Sequence, residues 1–81
     1  MTRDEITELV RRTLADVAPD IEGEPIDPDA LFRDQFEFDS MDFLNFVTGL
    51  HEATGLDIPE AEAPQLASLN GAVEYLSSRL S

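Results

Sequence analysis

Phe38-Asp39-Ser40-Met41-Asp42-Phe43-Leu44 is the stretch on which the reading of this chain turns. Asp39 is a good helix N-cap, and Asp42, three residues on, can reach back to it as in a capping box. That sets Ser40 in the first turn with its hydroxyl near solvent. From Met41 the apolar positions are 41, 43, 44, 46, 47, 50 and 53. They form two stripes: Phe43, Phe46, Val47 and Leu50 follow the i, i+3, i+4, i+7 rule for a buried face, whereas Met41 and Leu44 sit to one side. The helix therefore carries more apolar surface than one core needs.

Outward from that stretch, the spacing predicts a helix over 40–53 that stops near Thr54-Gly55, glycine being the usual residue for the left-handed turn past a helix end. Leu56 and Ile58 are expected to point back into the core around a solvent-facing Asp57. Pro59 at the first helical position opens a short helix over 60–63, and Pro64 ends it. Ser68 caps a final helix with Leu69, Ala72, Val73, Leu76 and Leu80 on one face. On the other side, residues 19–39 form a long connection whose Pro19, Gly23, Pro25 and Pro28 exclude a continuous helix. Ile21, Ile26, Leu31, Phe32, Phe36 and Phe38 argue that it is ordered and packed. Asp27 followed by Pro28 reads as a cap and first-turn pair, giving one short turn through Leu31. Thr2 and Glu5 fit a capping box for a first helix to about Val17, with Ile6, Leu9, Val10, Leu14 and Val17 inward and Arg3, Arg11 and Arg12 outward. No stretch alternates with period two. The expected fold is all-α: one domain over 1–81, a small four-helix bundle of three longer helices and one short one, with a long ordered loop between helices 1 and 2.

Length and charge narrow the function. A chain of 81 residues buries only about 60% of the surface it exposes when unfolded, for a net stability of roughly 4 to 12 kcal/mol. There is room for one core and none for a deep cleft between domains. The absence of cysteine excludes a disulfide framework and a thiolate metal site. No apolar run approaches the span of a membrane helix and Met1 opens no charged-then-apolar leader, so a cytoplasmic protein without membrane insertion is expected. Eighteen Asp and Glu stand against five Arg and no Lys, a formal charge of −13. Nucleic acid would be repelled, while basic protein surfaces would be attracted, with the gain in on-rate and selectivity.

A catalytic serine needs a base within hydrogen-bond reach, and the single histidine, His51, lies three helical turns from Ser40. Asp39 and Asp42 sit at an exposed helix entrance where nothing raises a carboxylate pKa for acid–base work. No glycine-rich phosphate loop is present. Asp27-Pro28-Asp29 opens like a calcium-binding loop, but Leu31 and Phe32 occupy the places of the third acidic ligand and the glycine. Two readings remain: a capped helix start and nothing more, or a hydroxyl beside apolar anchors that another protein docks on and modifies.

The motif Asp39-Ser40-Met41-Asp42 resembles the D-S-L-D-type signature of the acyl carrier protein family, peptidyl carriers included. Gly55-Leu56-Asp57-Ile58-Pro59 is similar to that family's G-I-x-I-P-type stretch, and the resemblance covers nearly the whole chain. It implies a monomeric, non-catalytic carrier on which a phosphopantetheinyl transferase moves 4'-phosphopantetheine from coenzyme A to Ser40, with Asp39 placing the serine. Acyl or aminoacyl groups would then ride as thioesters and be presented to acyl-activating, ketosynthase or acyltransferase-type enzymes with basic docking patches. Met41 would anchor the docking face, with Asp42, Leu44 and Glu52 around it. A sheltered acyl chain would lie near Phe46, Val47 and Leu50. The chain departs from bacterial fatty-acid carriers in offering Asn45, Thr48 and His51 where their second helix is studded with glutamates. That points to a specialised fatty-acid, polyketide or peptide pathway, and the many phenylalanines imply little space for a long acyl chain. The alternative is a helical adaptor that holds a basic partner through Met41 and Leu44 without any prosthetic group.

Overall fold

The Thr2–Glu5 box forms in both directions: the Thr2 hydroxyl accepts from the Glu5 amide at 3.2 Å and the Glu5 carboxylate accepts from the Thr2 amide at 2.8 Å. It opens α1 (Arg3–Val17) in a computed structural model that describes residues 1–80. The helix buries Ile6, Val10 and Leu14, while Leu9 and Val17 are half-buried. Thr13 is buried too. Its hydroxyl donates to the Leu9 carbonyl at 2.8 Å, so the buried polar group is satisfied within its own helix.

The long connection is ordered, as its apolar content requires. A single 3₁₀ turn, Pro19–Ile21, buries Ile21. Residues 28–30 do turn, but as an Asx turn in which the Asp27 carboxylate accepts from the Asp29 amide at 3.0 Å. The helical turn comes later, as α2 (Phe32–Gln35). Gln35 clamps the segment shut: its amide oxygen accepts from Asp27 N at 2.9 Å, and its amide nitrogen donates to the Asp27 and Ala30 carbonyls at 2.9 and 3.1 Å. The segment is also stitched to residues far along the chain, with Phe32 N donating to Ala67 O and Asn70 N to Pro28 O, both at 2.9 Å. Leu31 and Ser68 meet in an isolated antiparallel bridge.

Helix α3 (Ser40–Thr54) ends at Gly55, whose φ of 75° is the left-handed conformation a side chain would disfavour. His51 closes the exit: its Nδ1 lies 2.6 Å from Leu56 O, and because a carbonyl only accepts, the ring donates there. Leu56 and Ile58 pack on the core and Asp57 is exposed, as expected. The short helix expected over 60–63 is instead a 3₁₀ helix, Glu60–Leu66, with Pro59 at its cap and Pro64 inside it. In 3₁₀ geometry Pro64 forfeits one donor without ending the helix, and its own carbonyl still accepts from Ala67 N at 3.3 Å. Ser68 then caps α4 (Leu69–Leu80), accepting from Gly71 N at 3.0 Å.

α1 packs against both α3 and α4, and α4 against the 3₁₀ helix. Into the space between α2 and α3 three rings pack edge to face: Phe32–Phe38 at 5.7 Å, Phe32–Phe46 at 5.4 Å and Phe38–Phe46 at 6.3 Å between centroids. Tyr75 is buried, its hydroxyl donating to Glu62 at 2.8 Å, and Arg79 covers the ring at 3.7 Å while donating to the same carboxylate at 2.7 Å. Among the described residues no strand forms, and no helix is long and apolar enough to cross a membrane.

Candidate functional site

The aromatic trio fixes where the serine stands. Phe38 is held by Phe32 and Phe46, so the backbone leaves the core at that residue and Asp39 turns it into α3. The predicted capping box is present in full: the Asp39 carboxylate accepts from Asp42 N at 2.9 Å and the Asp42 carboxylate accepts from Asp39 N at 3.3 Å. Phe43 N is taken by the Asp39 carbonyl at 2.9 Å. The amides of Ser40 and Met41 are left without a partner among the described residues, at the positive end of the helix.

Ser40 is exposed and its hydroxyl makes no hydrogen bond among the described residues. It lines an open, mainly apolar groove of about 530 Å³ together with Phe32, Arg33, Phe38, Phe43, Pro64 and Ala67. His51 is eleven residues along α3, about 16 Å of helical rise, and is engaged with Leu56. The hydroxyl therefore has no base of this chain. It is exposed to solvent.

The remaining candidates separate. Met41 is 64% and Leu44 57% exposed, large values for apolar side chains, and they stand beside Ser40 on the first turns of α3. Asp42 is tied up in the cap. Glu52 is exposed nearly three turns further on, over a shallow groove between α1 and α3. Of the three residues expected around an acyl chain, Phe46 and Leu50 have no exposed surface and lie in the packed core. Val47 lines a different groove with Leu44, Ile58 and Pro59. None of the three lines the groove at Ser40. Sequence reasoning missed Pro64, Ala67 and Arg33 as neighbours of the serine. Nothing in their spacing announces it, because the 31–68 bridge that brings them there joins distant segments. Among the described residues no cluster of metal-ligating side chains occurs.

A family model described as a phosphopantetheine attachment site matches residues 6–76. The acyl carrier protein of Rubrobacter xylanophilus is 36% identical over 76 residues, covering 94% of this chain and 93% of the relative. That of Thermosynechococcus vestitus is 28% identical over 80 residues, 99% of this chain and 98% of the relative, and that of Lactobacillus johnsonii 34% over 58 residues, 72% of each. The serine without a base, the capped helix entrance and these likenesses agree: the chain belongs to the acyl carrier protein family, carriers that hold acyl groups on a covalently attached 4'-phosphopantetheine and leave the chemistry to other enzymes.

Proposed function

We propose that Ser40 is the residue that carries the arm, and that the protein serves acyl-activating, ketosynthase or acyltransferase-type enzymes in a specialised fatty-acid, polyketide or peptide pathway. The observation that carries the first part is the free, exposed Ser40 hydroxyl at the edge of an apolar groove. The donor set suits a phosphodiester: a primary alcohol, two unpaired amides at a helix N-terminus, and an apolar wall beside it for the rest of the arm. Asp39 positions the serine by holding the first turn of α3. When bound, the arm supplies a terminal thiol that holds the acyl group as a thioester. The chain's own residues supply presentation and recognition, raising the effective concentration of the cargo at any enzyme that docks.

Docking falls to Met41 and Leu44, exposed apolar anchors within a strongly acidic surface, with Asp42 and Glu52 as flanking charges for a basic partner. The specialised pathway is favoured by the non-acidic Asn45, Thr48 and His51, all exposed on α3. The filled core around Phe46 and Leu50 favours short or polar cargo, since a long chain sheltered near Phe46, Val47 and Leu50 would have to displace packed side chains.

The test is intact mass after incubation with coenzyme A and a permissive phosphopantetheinyl transferase. The protein is expected to gain one phosphopantetheine, and Ser40→Ala is expected to gain none. Addition to the alanine variant would place the arm elsewhere.

A further inference from the structure

We propose that Arg33 is a positioning residue for the phosphodiester, a reading that rests on attachment at Ser40. Cations are scarce in this chain, five arginines against eighteen acids, so where each one lies is informative. Arg3 is paired with Glu74 at 2.6 Å and Arg79 with Glu62 at 2.7 Å, both tying helices together. Arg11 and Arg12 are on the outer face of α1 and line other grooves. Arg33 alone lies at the groove that Ser40 borders, and among the described residues it has no carboxylate within 4.0 Å.

Its backbone is well fixed. The residue before it, Phe32, is anchored through its amide to Ala67 O at 2.9 Å and through its ring to Phe38 and Phe46. Arg33 thus lines an otherwise mainly apolar groove from a fixed backbone, and among the described residues no carboxylate pairs with it. A phosphodiester on Ser40 carries one negative charge and two non-bridging oxygens, the form a guanidinium fork matches best. It would also enter a stretch of sequence already holding the acidic residues Glu37, Asp39 and Asp42. Arg33 offsets that repulsion and holds the arm's root toward the groove and away from open solvent.

The test compares wild type, Arg33→Gln, Arg33→Lys and, as a charge control outside this groove, Arg11→Gln. Each is converted to the holo form, and conversion is verified by intact mass with Ser40→Ala as the negative control. Apo-to-holo changes in Tm are measured at low and high salt, together with the ³¹P resonance of the arm. In low salt the change is expected to be about 2–4 °C less favourable in Arg33→Gln than in wild type, with Arg33→Lys between them and Arg11→Gln like wild type. The gap is expected to close in high salt, and the ³¹P resonance to move only on substitution at residue 33. Full modification at Ser40 with equal shifts in all variants would overturn the role of Arg33 while leaving the attachment standing. Absence of modification at Ser40 would overturn both.

Discussion

A β-carbon on Gly49 would stand 2.8 Å from Cγ2 of Thr13, so α1 and α3 cross at a point where neither residue has room to grow. Thr13 cannot swing aside without giving up its bond to Leu9 O. Gly49→Ala brings about 1 kcal/mol of helix propensity but meets an overpacking cost of about 1–3 kcal/mol. A net loss of about 1 kcal/mol is expected in urea denaturation, reversed when Thr13→Ser removes the opposing methyl. A stable single mutant would mean the crossing is looser than this.

Capping and attachment divide between neighbouring residues. Asp39→Ala is expected to lower stability by about 1 kcal/mol, while Ser40→Ala leaves it nearly unchanged, since the serine side chain bonds to nothing. Thermal unfolding of the two apo variants checks this, and the opposite order would relocate the cap.

Burial, and then the hydrogen bond to the Glu62 carboxylate, push the Tyr75 phenol above its usual value of 10.0. A raised folded pKa means the neutral phenol is preferred in the native state. Its stabilisation is whole below about pH 10 and is lost as pH rises through the higher folded value. Tyr75→Phe removes both the titration and the bond. It is expected to cost about 1 kcal/mol at pH 8, with the gap to wild type narrowing above pH 10. A constant gap across that range would show that the phenol does not titrate differently in the two states.

Among the described residues the Ser77 hydroxyl is the buried side-chain group left without a hydrogen-bond partner. Ser77→Ala removes it and favours the helix, so denaturation is expected to show a gain of about 0.5–1.5 kcal/mol. A loss would point to a partner for that hydroxyl in solution.

The parts of this fold that local chemistry controls were legible beforehand. Both capping boxes, the Gly55 exit, the Ser68 cap and the buried faces of α1, α3 and α4 depend on residues within a turn or two of one another. Other features were not legible, among them the helical turn that falls at Phe32–Gln35 and not at residues 28–31. Pro64 predicts the end of a helix, yet a 3₁₀ helix absorbs it. Thr13 was passed over as polar, yet it lies buried against Gly49 because its hydroxyl folds back on its own helix. The groove at Ser40 joins residues 31–43 to 64–67, and no periodicity within either segment records that meeting. The serine could be found by reading along the chain, but its surroundings depend on the tertiary fold.

The two backbone bonds that stitch residues 28 and 32 to 70 and 67 have a consequence for motion. The Phe32 side of the groove is fastened not only to α3, through the ring of Phe46, but also by backbone to the first turn of α4 and the segment before it. The amides of Phe32 and Asn70, which make these two bonds, are expected to exchange with solvent as one unit. The order of the groove beside Ser40 thus depends on residues 67 and 70, near the opposite end of the sequence from α1.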